Sequence, residues 1–381
     1  MGSDFLDEFK FEHEEKYVMK YKHRGITYCS IIVAVLLTLF SCTPEVEYLG
    51  VFGESRMKDV LGQDGVTPIA IDDSITMWTF GDTILGTWKE SVTVYDTFDE
   101  RADPKGMISN SLAFSPRATS DNVKDLDFTF LKRGGRVVQF IEYRRGENPR
   151  LDRLWALDGL RIDKVVYVYY LVIRITHPGR AFQFKLRAVG LARWKIPENW
   201  RIGDEVNFVR RANIFPEDYP GFGASVIQRG GYIYTVGQYT KDFTSPIKVA
   251  RVKVGGVEDP RVYEFLAKEG RWVRDINLAE PFLGDVMGEC SLSYNEYLRR
   301  YVIIYCQLWT GKIVMVSFRR FSELFSAQKR EIFKMPELRI KDKRKAWYYS
   351  GKEIFAEGPF IYALCINPLE YQPYLLRIKL K

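Results

Sequence analysis

Histidine is almost absent from this 381-residue chain: three occur, and two of them, His13 and His23, precede its longest apolar run. The remainder has no histidine set for a His-rich zinc site or for a Ser-His-Asp enzyme. The last one, His177, lies in Thr176-His177-Pro178-Gly179 and reads as an exposed turn residue. Cysteine is scarce too, with five residues and no CxxC pair, so neither a metal ribbon nor a thioredoxin motif is available. Charge of one sign is also lacking: 56 basic and 49 acidic residues are mixed along the chain, a net +7. That is a weak basis for nucleic-acid binding, which concentrates positive charge on one face. Long helical periodicity is missing beyond the apolar run, the best short candidates being 259–268 and 321–329. Gly134-Gly135 and Gly255-Gly256 open no helix, so they are turns rather than phosphate loops.

What is present begins with a targeting segment. Residues 26–40 read ITYCSIIVAVLLTLF, uncharged and preceded by Lys20, Lys22, His23 and Arg24. A basic stretch followed by a short apolar one is the signal-peptide pattern and is short for a membrane span. It ends in Leu39-Phe40-Ser41-Cys42, which resembles a lipobox in which Cys42 is the lipidated residue. Phe40 is bulky for that motif and an acidic stretch lies upstream, so Met19 makes a more ordinary start than Met1. The expected layout is a leader over 1–42, a tether over 43–54 and one folded domain over 55–381, outside the cytoplasmic membrane. Cys290 and Cys306 flank a turn near Leu298 almost symmetrically, and either a cross-strand disulfide or buried free thiols fit that placement.

Aromatic residues reach 15%, and they concentrate in strand-like runs. Five segments share one plan, an apolar strand, a polar turn and a strand rich in Tyr, Val and Ile; they start at Val66, Leu157, Gly223, Cys290 and Tyr349. Their turns fall at Asp73, Asp163, Gly230, Leu298 and Gly358, and several are followed by a third alternating strand. Period-2 alternation between such turns predicts antiparallel meanders. Five meanders at near-regular spacing predict an all-β chain built as a five-bladed β-propeller, with a β-sandwich as the alternative.

In a propeller the first strand of each blade lines the axis. Asp64 and Glu289 each stand nine residues before their turn, and Asp158 stands five before its own, so three carboxylates are expected at one mouth. Asp82 closes the partner strand of the first hairpin, and 64 and 82 are symmetric about the turn at 73, which places Asp82 beside Asp64. Two juxtaposed carboxylates suit glycosidic hydrolysis, one as general acid and the other as base or nucleophile. Trp78, Trp88, Trp155 and Tyr232 are candidates for stacking on sugar rings or for core packing. Glu357-Gly358-Pro359 is expected to be a turn rather than a catalytic motif.

The series Gly62-Gln63-Asp64-Gly65, Phe80-Gly81-Asp82-Thr83 and Ser109-Asn110-Ser111 resembles the opening of domain of unknown function 4185. Trp155-Ala156-Leu157-Asp158-Gly159, Phe222-Gly223-Ala224-Ser225 and Glu289-Cys290-Ser291-Leu292-Ser293-Tyr294-Asn295 look like its later signatures, in the same order. The family is similar to five-bladed propeller glycosidases that cleave furanosides, and some members are endo-D-arabinanases of glycoside hydrolase family 183. The resemblance implies Asp64 and Asp82 as the catalytic pair, with Asp158, Glu289, Asn110, Trp155 and Ser225 supporting them or binding substrate. Basic insertions such as Lys132-Arg133 and Arg144-Arg145 depart from the usual blade positions. The resulting expectation is a secreted or lipid-anchored, monomeric glycoside hydrolase acting on a furanose-containing, arabinan-like polysaccharide. The alternative is a non-catalytic surface propeller that binds a glycan or a protein. Carboxylate hydrolysis needs no cofactor; a calcium ion held by axial carboxylates is compatible with the arrangement, although no EF-hand loop is present.

Overall fold

The computed structural model describes residues 44–53, 59–89, 102–177, 183–238, 246–339 and 345–381. Thr43–Lys381 forms one compact unit. The leader and Cys42 lie outside the described residues. Regular structure among the described residues is β-strand, with helical turns confined to short 3-10 segments such as Pro260–Val262 and Phe321–Ser326. None of their helices is long and apolar enough to cross a membrane.

Five antiparallel meanders follow one another along the chain. The first opens with Thr67–Ala70 and Ile75–Phe80, the second with Asp152–Ile162 and Val165–Ile175, the third with Gly221–Arg229 and Tyr232–Gln238. The fourth opens with Val286–Asn295 and Arg300–Gln307, and the fifth with Tyr349–Glu357 and Phe360–Asn367. Each hairpin turns where polar and glycine residues interrupt the alternation. Ile162 pairs with Val165, Arg229 with Tyr232 and Glu357 with Phe360, and Asp163, Gly230 and Gly358 all take the positive φ of tight turns. The first hairpin has Thr67 opposite Thr79 and Ala70 opposite Thr76, a register centred on Asp73.

Alternation also explains how the sheets stack. Along Val165–Ile175, Val166, Val168 and Tyr170 pack with the first sheet's Met77, Leu112 and Phe114. Tyr169, Leu171 and Ile173 point the other way and pack with Phe222, Val226 and Ile233 of the third. A strand buried on both faces is the expected state of an inner strand between neighbouring sheets. The same rule decides the cysteines. Cys290 pairs with Tyr305, which puts Cys306 one step out of register and on the opposite face. The two thiols accordingly sit in different cores, and Cys290, Cys306 and Cys365 are buried and free.

The expected tether over 43–54 needs correction. Glu45–Val51 is a strand that pairs antiparallel with Gln372–Lys379, the third strand of the fifth meander. Glu45 lies opposite Lys379 and Glu47 opposite Arg377, with Arg377 bonding Glu47. This strand supplies the fourth strand of the last sheet from the other end of the chain. It has no hairpin turn of its own, so local patterning could not reveal it.

Candidate active site

The first strands of all five meanders surround a cavity of about 350 Å³. Its wall includes Thr67, Asp158, Arg161, Ser225, Gln228, Ser291, Ser293, Lys352 and Glu353. Inter-sheet bonds hold these strands in place: Thr79 Oγ1 donates to Leu157 O at 2.8 Å, and Ser225 Oγ donates to Leu292 O at 3.0 Å and accepts from Leu292 N at 2.9 Å.

Asp64 immediately precedes this wall and leans on the far end of the first hairpin. Its N–H donates to Asp82 O at 3.3 Å, and Gly81 N donates to Asp64 O at 2.9 Å. The approach requires two glycines. A Cβ on Gly81 would lie 2.5 Å from Asp64 Oδ1, and Gly65, at φ +60°, presents its Cβ position 3.1 Å from Gly81 N and 3.6 Å from Glu289 Oε1. Asp64, Asp82 and Glu289 thus come together, each half-buried.

The surroundings differ for each carboxyl. Burial, then the Asp82 and Glu289 carboxylates, push Asp64 up to about 7, while the Tyr371 and Tyr349 hydroxyls pull it down. Tyr349 Oη donates to Asp64 Oδ2 at 2.9 Å. Burial raises Asp82 to about 6, opposed by the Arg153 guanidinium and the Trp155 indole. Neither Asp82 Oδ1 nor Trp155 Nε1 completes a hydrogen bond of ordinary geometry, so the indole acts on the carboxyl as a nearby dipole. Glu289 is bonded by Lys352 Nζ, which also donates to Thr67 Oγ1 at 2.7 Å. Lys352 is only 3% exposed, and a cation so deep is tolerable because it is paired and bonded.

Asp158 is within the field of Glu289 and Lys352, but its own bonds go to backbone. Its two oxygens accept Gly159 N and Val226 N, each at 2.6 Å, so it ties the second and third sheets. Burial nonetheless raises it to about 7. Asn110 is fully buried, and its amide is spent on backbone: Nδ2 donates to Ile141 O and Leu154 O, while Oδ1 accepts Phe140 N and Ile141 N. That leaves it no group for a ligand. Ser225 is spent in the same way on Leu292. Trp78 is core; Trp155 faces Asp82 and packs edge-on against Phe184. The insertion residues Lys132 and Arg133 form ion pairs with Asp59 and Glu142. Among the described residues no group of three or more His, Cys, Asp or Glu is placed to hold a metal ion.

Sequence reasoning did not single out Tyr349, Tyr371 or Lys352. Tyr349 and Lys352 belong to the fifth meander and meet the first across 285 positions of chain. Only Lys352 left a trace, as a basic residue within an inner strand.

Known hydrolase structures share the nearly all-β fold of this domain. A putative hydrolase from Bacteroides ovatus matches with a TM-score of 0.64 at 16% identity, covering 84% of this chain and 86% of that one. A family 117 glycoside hydrolase from the marine bacterium Zobellia galactanivorans matches at 0.50 and 9% identity, covering 89% and 92%. No curated protein sequence matches. The family model described as domain of unknown function DUF4185 matches residues 59–377, and the chain belongs to that family.

Proposed function

We propose that this chain is a five-bladed β-propeller glycoside hydrolase that cleaves a furanose-containing, arabinan-like polysaccharide. The observation that carries the proposal is the meeting of Asp64 with Asp82 beside the axial cavity, both raised above the usual carboxylate range. A carboxyl still protonated near neutrality is the acid such a reaction needs, and a second carboxyl beside it serves as base or nucleophile. In the overall reaction the glycosidic C–O bond breaks, the leaving oxygen takes a proton from one carboxyl, and the water oxygen ends on the anomeric carbon. The water's proton restores the balance at the carboxyls. Likeness to a family 117 glycoside hydrolase agrees with this reading.

The test is a polysaccharide panel screened for new reducing ends, wild type against Asp64→Asn. Release from an arabinan or another furanan by the wild type alone is expected. No release from any furanan would overturn the hydrolase reading in favour of a binding protein. We also propose that the domain is exported and tethered to the membrane by a lipid on Cys42. Cys42→Ser should then leave the protein uncleaved or free of the membrane fraction, and unchanged mass and fractionation would refute the anchor.

A further inference from the structure

We infer that Tyr349 and Tyr371 are positioning residues that fix the orientation of the Asp64 carboxyl and favour its ionised form. This rests on the hydrolase reading of the same site and adds to it a role for the last sheet.

Three observations converge. Tyr349 Oη donates to Asp64 Oδ2 at 2.9 Å, and the Tyr371 hydroxyl is near enough to pull the Asp64 titration down. An ionised carboxylate is an acceptor only, so a phenol donor matches that form. Second, Tyr371 has φ 54°, a left-handed conformation that is unfavourable for a bulky residue and collects at functional sites. Third, the strained backbone is itself anchored against the catalytic segment. Tyr371 O accepts Gln63 N at 2.8 Å, and Gln372 Nε2 donates to Leu61 O at 2.7 Å. The Cβ position of Gly62 lies 2.8 Å from Tyr371 O and 3.1 Å from Tyr371 Cβ, so no other residue at 62 would let the strand lie so close.

Around Asp64 the charged and titratable groups are Asp82 from the first hairpin, Glu289 from the fourth sheet, and Tyr349 and Tyr371 from the fifth. Lys352 is bound to Glu289, and Arg153 acts on Asp82. Both carboxylates oppose ionisation of Asp64, and the two phenols are the groups that favour it. A hydrogen bond to a charged group is strong enough to move a titration by about one pH unit.

The experiment follows the Asp64 carboxyl by carbon-13 NMR in protein labelled at aspartate, the signal being assigned by its loss in Asp64→Asn. Tyr349→Phe and Tyr371→Phe should each raise its midpoint by about one pH unit, with melting temperature nearly unchanged. On furanan substrate, kcat should fall, KM should hold, and the acidic limb of the kcat profile should move up by the same amount. Two independent variants guard against one failing to fold. A midpoint unmoved in both would overturn the proposal. The titration needs no substrate, so absence of hydrolysis on every furanan would count against the enzyme reading alone.

Discussion

Asp64 occupies the space that a side chain on residue 81 would need: its Oδ1 lies 2.5 Å from the Cβ position of Gly81. The carboxylate can yield more easily than the strand, because it is the free end of a side chain. Gly81→Ala is therefore expected to fold with nearly wild-type melting temperature while pushing Asp64 off its position. A displacement of this order costs about 10²-fold in rate where reacting groups must align. Rate and thermal melt measured on one preparation decide the point; full activity in Gly81→Ala would mean that the Asp64 carboxyl orientation observed is not the working one.

Asp64→Asn and Asp82→Asn preserve shape and remove proton transfer, which contributes ~10²–10⁴-fold in positioned acid–base catalysis. Each variant should lose activity in that range and melt near wild type. Lowered melting with lost activity would show only a damaged turn.

Glu353 provides a pH test of stability. Burial raises it from 4.5 to about 7, offset by the Ser293 hydroxyl, which donates at 2.8 Å. Folding thus favours its neutral form. Its contribution is complete below about pH 4.5 and is lost as pH rises towards 7. Glu353→Gln carries a permanently neutral group, so its melting temperature relative to wild type should climb between pH 4.5 and 8. A constant difference across that range would place the titration elsewhere.

Removal of Glu45–Val51 tests the closing strand. A chain beginning at Thr43 should melt like the full protein. One beginning at Phe52 should melt far lower or aggregate, since it bares the edge of Gln372–Lys379 and the buried Leu376 and Ile378 beneath it. Equal melting of the two would show that the strand is dispensable.

Much of this architecture was legible locally. The hairpin centres follow from period-2 runs broken by Asp163, Gly230 and Gly358, and antiparallel symmetry about Asp73 brings Asp64 to Asp82 without any coordinates. What was not legible depends on partners remote in sequence. The tyrosine pair, Lys352 and Glu45–Val51 all act across the junction between the last sheet and the first, which has no turn to announce it. The choice at Asn110 between support and substrate binding was closed for another reason, because a motif asparagine aimed at a ligand and one spent on four backbone groups look alike in sequence. For the cysteines, a single register step decides between a cross-strand disulfide and the buried free thiols observed, and symmetry about an approximate turn cannot resolve it.

The bonds that fasten Gln63 to Tyr371 and Leu61 to Gln372 join the start of the domain to within ten residues of its end. A nascent chain therefore carries both aspartates long before it has a site. Until the final strand emerges from the ribosome or the translocon Tyr371 is missing, and a product cut short by fifteen residues would have both acids and lack that residue. The last sheet, which carries Tyr349, Lys352 and Tyr371, is thus the last part of the chain to be made and the part that completes the surroundings of Asp64.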